Sequence, residues 1–393
     1  MRNGIMGRIL AGAAGLHGAN ELVLAALPLT AVLVLHAGAD MVGMLLAVQA
    51  AAWLLCTMPA GILVDRAPRR RVLLAGAMLA GVGLTVAALG VAKADTSILA
   101  AGAFVGSAGM VVFVLVATAI VPDLVARGGL ATANARLELT RALATIAAPP
   151  IVGVLAAGHA LVQAFILAAL LAGLAAAILS RLPLDTAAGE RPTAPRPPAL
   201  RQIRDGAAFI VQEPMLRGIA ACAVAWNIGF FSLITSFVPF AVSALLMDAV
   251  RIGIVQSGYG VGLVAGALAA PWAIGRLGWG GVLLLGPGLS ALAPALLLLA
   301  QGHEPWLASS LAVLAHLLVG FGPMMWLVCR TSVVQALTAR DMLGTVSATM
   351  QVTVFGVRPL GALIGGALGA GLTPGAGIVF AGLMFVLSFV AMA

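Results

Sequence analysis

Long apolar runs of membrane-spanning length alternate with short polar breaks along nearly the whole chain. Between charged or Gly/Pro-rich breaks they fall near residues 8–35, 42–64, 72–92, 97–121, 130–156 and 161–180. A second set lies near 215–244, 252–274, 281–300, 306–329, 343–371 and 376–392. A helix needs about 20 residues to cross the hydrocarbon of a bilayer, so the pattern predicts twelve transmembrane helices. Residues 181–213 separate the two sets and carry mixed charge with Pro183, Pro192, Pro195, Pro197 and Pro198. That segment is too polar to span and too rich in proline to form one helix. It predicts two six-helix bundles, 1–180 and 214–393, joined by a cytoplasmic linker at 181–213.

Composition agrees with the pattern. Apolar residues make up 62% of the 393 positions and charged residues 9%, against about 25% charged in a soluble domain. The net charge of +8 is spread over short loops, which excludes a continuous nucleic-acid-binding face. With the N-terminus inside, the internal loops collect nearly all the arginines, and the external loops hold only Lys93 and Arg251. The bias places both termini in the cytoplasm. Cys56, Cys222 and Cys329 lie far apart in apolar runs without ligand spacing, so neither a disulfide nor a metal is expected. No phosphate-binding loop or catalytic constellation appears, so neither an enzyme nor an ATP-driven pump is expected, and no cofactor.

The halves are related by an internal repeat. Residues 127–140 align with 340–353 at an offset of 213, with Arg, Leu, Thr, Ala and Thr identical in register. Residues 43–66 align with 253–276 at an offset of 210. Two similar offsets mean that six helices were duplicated in parallel. The repeat is imperfect: Asp65 corresponds to Gly275, and the arginines after Arg66 have no counterpart.

The densest charge cluster runs from Gly61 to Leu74 and holds Asp65, Arg66, Arg69, Arg70 and Arg71 between two apolar runs. Charges at that density exclude the hydrocarbon and predict a tight turn at the membrane surface. Gly61, Leu63, Asp65, Arg66, Arg69 and Arg70 match G-x-L-x-D-R-x-x-R-R, the loop between helices 2 and 3 of major facilitator superfamily transporters, which the chain resembles throughout its length. Shorter patterns, Val121-Pro122-Asp123-Leu124 with Ala133-Asn134-Ala135 among them, resemble the bacterial branch of siderophore, macrolide and drug exporters. Ala148-Pro149-Pro150-Ile151-Val152-Gly153 is similar to the antiporters' G-P-x-L-G-G element in Pro149 and Gly153, and departs from it at Ala148 and Val152. The basic motif many relatives carry in span 4 is missing.

The resemblance implies an all-helical fold of two pseudo-symmetric bundles and export of a small amphipathic molecule, with no cofactor. It implies exchange for protons across the bacterial inner membrane by a monomer working through alternating access. Asp65 and Arg66 would then belong to a gating element with Gly61, Arg69, Arg70, Pro149 and Gly153. An uptake symporter or facilitator of the same fold is the alternative, and a non-transporting membrane sensor a third.

Ionisable groups inside spans cost about 3 kcal/mol or more and mark function. Glu21 lies midway along span 1 in His17-Gly18-Ala19-Asn20-Glu21. A desolvated carboxyl there is suited to exchanging protons, and an acid in span 1 recurs in proton-coupled exporters that the chain resembles. The other reading is a structural carboxylate bonded to a neighbouring helix. Glu138 and Arg141, three apart in span 5, share a face and form either an architectural pair or part of the coupling site. Arg358 in span 11 has no acid on its own helix and is a candidate for an anionic substrate group. Asn20, Gln49, Trp53, Asn227, Gln256, Tyr259 and Gln351 are the remaining cavity candidates, with Trp226, Met324, Met325 and Trp326 beside them. His316 reads as a hydrogen-bonded core residue.

Overall fold

In hydrocarbon every backbone N–H and C=O must be satisfied within its own segment, so apolar runs of this length fold as helices. The structure, a computed structural model, describes residues 2–124, 130–182, 199–338 and 342–393; for some of these, Asp65 and Arg66 included, only the backbone is described. The proline-rich stretch 183–198 of the expected linker, and Arg127 and Arg340 of the repeat, lie outside the described residues. Among the described residues the fold is all-helical.

The helices are α1 (Arg2–Leu33), α2 (Ala39–Arg66), α3 (Arg69–Ala92), α4 (Thr96–Leu124), α5 (Leu130–Ala157) and α6 (Leu161–Ser180). They continue as α7 (Ala199–Gln212), α8 (Pro214–Ser243), α9 (Ala249–Leu299), α10 (Pro305–Leu337), α11 (Leu343–Gly371) and α12 (Ala376–Val390). Ten helices are long and apolar enough to cross a membrane by length and composition among the described residues. The 51-residue α9 is two segments joined at Gly278, whose φ of 69° and ψ of 175° break the helix. Glycine takes that conformation without a Cβ penalty. Counting both arms of α9 and adding the shorter α12 gives the twelve apolar segments read from hydropathy.

Two differences at helix ends matter. The expected surface loop around Asp65 is shorter than the charge cluster suggested: α2 runs to Arg66 and α3 starts at Arg69, with Ala67 and Pro68 between. The arginines therefore open α3. Residues 199–212 of the expected linker form α7. Ile203, Ala207 and Ile210 repeat at helical spacing, on the side away from Arg201 and Asp205.

The chain divides into two contact units, Met1–His36 with Val48–Ala194, and Ala37–Ala47 with Pro195–Ala393. In the first, α3 packs along α4, and α1 packs against α5 and α6. The α3–α4 contact rests on small residues. A Cβ at Gly83 would collide with the backbone of Gly106, one at Gly90 with Leu99, and one at Gly109 with Ala80. Backbones this close gain dispersion contact, the main attraction left between helices where lipid is as apolar as Leu. Polar ends are tied as well: Arg70 Nη2 donates to the Ser180 carbonyl at 2.6 Å, and Arg8 donates to that of Arg181. Both satisfy carbonyls at the C-terminal end of α6.

In the second unit α9 packs along α10, and α8 against α11 and α12. Gly262 and Gly266 face the backbones of Leu317 and Phe321, as Gly320 faces that of Tyr259. Ser232 and Ser236 of α8 donate to the carbonyls of Gly377 (2.8 Å) and Gly365 (3.3 Å). The first turns of α2 belong to this unit, where Gly43 lies against Ala362 and Gly366 of α11. The duplication is visible in the turns: His36 after α1 and Leu246 after α8 both take a left-handed φ of 50°. They stand 210 positions apart, the offset of the sequence repeat.

Candidate functional site

On α1, His17 and Glu21 are four residues apart and share a face. On α5, Glu138, Arg141 and Thr145 follow one another by three and four, again one face. Packing of α1 on α5 brings the two faces together. Glu21 is half-buried; its Oε1 accepts from Asn20 Nδ2 at 3.4 Å. Arg141 acts electrostatically on both Glu21 and His17. The expected Glu138–Arg141 pair forms, with Arg141 Nε donating to Glu138 Oε2 at 2.9 Å. The Glu138 side chain is 60% exposed. An ion pair that open contributes about 0–1 kcal/mol.

Thr145 is a member of this cluster that the sequence did not single out. Its Oγ1 donates to the Arg141 carbonyl at 3.0 Å. Asn20 also lines a small recess with buried Gln49 of α2 and buried Ser107 of α4. The recess therefore adjoins the carboxyl through Asn20. Trp53 lies one turn beyond Gln49 on α2 and is half-buried.

The remaining candidates lie in the second unit. Arg358 Nε of α11 donates to Asn227 Oδ1 of α8 at 3.1 Å, and Asn227 Nδ2 donates to the Ala223 carbonyl at 2.9 Å. The guanidinium lies over Phe231 (5.4 Å) and Phe355 (4.4 Å), an arrangement that stabilises a cation away from water. Neither phenylalanine stood out in the sequence. Gln256 and Tyr259 share a face of α9, and the Tyr259 ring lies 5.3 Å from that of Phe230. Gln351 is exposed, whereas His316 is buried, with Nδ1 2.9 Å from the Ala312 carbonyl.

Arg330 was also missed, because the apolar run was ended at Cys329. Helix α10 continues to Leu337 and carries Arg330 against Trp326, 5.4 Å from the ring centroid, with its Nε buried and without a hydrogen-bond partner. Of the gating candidates, Pro149 and Gly153 are buried in α5, Arg70 caps α6, and Gly61 has open space where a Cβ would sit. Arg69 is half-buried at the start of α3. The side chains of Asp65 and Arg66 lie outside the described residues.

Comparison with known proteins agrees with this architecture. The chain is 28% identical over 367 residues to the enterobactin exporter EntS of Escherichia coli O1:K1 / APEC, covering 89% of this chain and 83% of that one. It is 28% identical over 368 residues to EntS of Citrobacter koseri, with 88% and 82% covered. Among solved structures, the nucleoside transporter NupG superposes with a TM-score of 0.74 at 16% identity, covering 99% of this chain and 98% of that one. A POT family transporter in complex with 5-aminolevulinic acid gives a TM-score of 0.79 at 12% identity, with 98% and 94% covered. At such identities these structures speak for the fold alone. The model of the Major Facilitator Superfamily matches residues 9–361, nearly the whole duplicated region described above. This multi-pass membrane protein therefore belongs to the Major Facilitator Superfamily and is a transporter, not an enzyme.

Proposed function

We propose that the protein exports a small amphipathic molecule from the bacterial cytoplasm in exchange for protons, with Glu21 as the coupling carboxyl. The observation that carries this reading is the Glu21 cluster. A half-buried carboxyl in the middle of α1 is held by Asn20, and α1 packs on α5, which carries Arg141 and Thr145. Export as the direction draws on the likeness to the enterobactin exporters.

In this reading Arg141 and Glu138 form part of the coupling site, and Asn20, Gln49, Trp53, Asn227, Gln256, Tyr259, Gln351 and Arg358 are candidates for the substrate cavity. Asp65 and Arg66, with Gly61, Arg69, Arg70, Pro149 and Gly153, bias which side is open. The protein works as a monomer in the inner membrane with both termini in the cytoplasm, as the arginine distribution supports.

Exchange makes substrate and proton compete, so substrate affinity is expected to rise from about pH 6 to about pH 8. Thermal stabilisation of the purified protein by enterobactin, and by a set of siderophores, macrolides and dyes, tests this. Glu21→Gln should flatten the pH dependence of binding while leaving binding itself. Equal pH dependence in wild type and variant would remove Glu21 from the coupling role.

A further inference from the structure

The second unit contains a cluster of aromatic side chains with one unfulfilled polar atom beside it. The Trp226 indole stacks on the Phe230 ring at 4.9 Å with 12° between planes, and Phe230 lies 5.3 Å from Tyr259. Phe231 meets Phe230 edge-on at 5.8 Å and leads to Arg358; Phe385 backs Trp226 at 5.9 Å. The chain has one tyrosine and 13 phenylalanines, and that tyrosine with four of the phenylalanines lies here or beside Arg358. The shelf is fixed at one end: Trp226 Nε1 donates to buried Ser290 Oγ at 3.0 Å. Trp226, Phe230 and Tyr259 are each half-buried, so part of each ring surface remains uncovered.

One turn before Tyr259, on the same face of α9, the Gln256 Oε1 is enclosed by protein and has no hydrogen-bond donor. Such an acceptor carries a desolvation cost that persists until a donor reaches it. Rings alone would be ordinary packing. Rings that keep open surface, next to an enclosed carbonyl oxygen lacking a donor, are complementary to a flat molecule with an O–H or N–H at its edge.

We propose that the Trp226–Phe230–Tyr259 shelf together with Gln256 is a substrate subsite that takes planar aromatic molecules bearing a hydroxyl or N–H donor. The aromatic face stacks on Phe230 and Tyr259, and the donor satisfies Gln256. This names the substrate class of the exporter and rests on that reading for the claim that the bound molecule is cargo.

The test uses three matched probes on the full chain in one detergent: 2-naphthol, 2-methoxynaphthalene, which lacks the donor, and decahydro-2-naphthol, which lacks the ring. Subtracting binding to a Phe230→Ala, Gln256→Met double variant cancels partition into the micelle. Wild type should bind 2-naphthol about fivefold or more tighter than either control. Gln256→Met should abolish the preference over the methoxy compound, and Phe230→Leu the preference over the saturated alcohol. Equal binding of all three probes to wild type overturns the proposal without any variant, as does either preference surviving its substitution. Flux separates the two readings. Selective binding of 2-naphthol with no proton-linked movement removes the export reading and supports the subsite. Glu21-dependent export of a substrate whose binding is unaffected by both single substitutions removes the subsite and leaves the export reading.

Discussion

Thr145 stands on the α5 face that packs on α1, and we propose it as a partner for Glu21 in proton exchange. Its hydroxyl donates to the Arg141 carbonyl, and in that proposal it would turn to donate to an ionised Glu21. Removing the hydroxyl while keeping the shape should therefore disturb coupling more than folding. Thr145→Val is expected to shift the pH profile of transport, and Thr145→Ser to restore it. A Val variant whose pH profile overlays wild type would reduce Thr145 to a helix-packing residue. Arg358→Gln should leave stability changed by only about 1 kcal/mol, because Asn227 retains a partner able to donate, yet it removes the cation over Phe231 and Phe355. Thermal melts of the purified variant check this. Glu21, Glu138 and Arg358 were legible in sequence because charge stands out in an apolar run. Phe230, Phe231 and Phe355 were not, since a phenylalanine that lines a site looks the same as one that faces lipid.

At the scale of elements, close backbone approach by glycine holds each bundle together. Gly83→Leu should destabilise the first bundle by about 3 kcal/mol or more, since the side chain meets backbone that cannot move aside. Gly173→Ala in α6 meets nothing within 4 Å and should be neutral or stabilising by up to about 1 kcal/mol. Equal melting temperatures for the two variants would contradict the packing argument. Helix α7 docks by the same means, because a Cβ at Gly206 would press on Thr349 and Thr345 of α11. Gly206→Val should expose α7 to protease while leaving the transmembrane helices intact, as limited proteolysis would report. Hydropathy revealed the spans because lipid leaves a helix no alternative. It did not reveal α7, whose apolar positions 200, 203, 207 and 210 are few and follow a run of prolines. The end of α10 was misplaced for a related reason: a charge closes a hydropathy window, but an arginine can lie its chain along a tryptophan and stay within the helix.

For the whole molecule, the duplication supplies two similar bundles, and the departures from symmetry indicate specialisation. Glu138 and Arg141 correspond in the repeat to Gln351 and Val354, and Asp65 to Gly275. The first half thus keeps Asp65, Glu138 and Arg141 where the second has none, while the second carries the aromatic shelf and Arg358. That division supports proton chemistry in one bundle and cargo recognition in the other, coupled by the conformational change this family undergoes. The most direct test reconstitutes wild type and Glu21→Gln into vesicles loaded with a pH-sensitive dye. Enterobactin, or the best compound from the stabilisation screen, is then supplied on one side. Wild type should show substrate-dependent proton movement opposite to the substrate, lost in Glu21→Gln although the compound still binds. Protons moving in the same direction as the substrate, or undiminished exchange in Glu21→Gln, would contradict it.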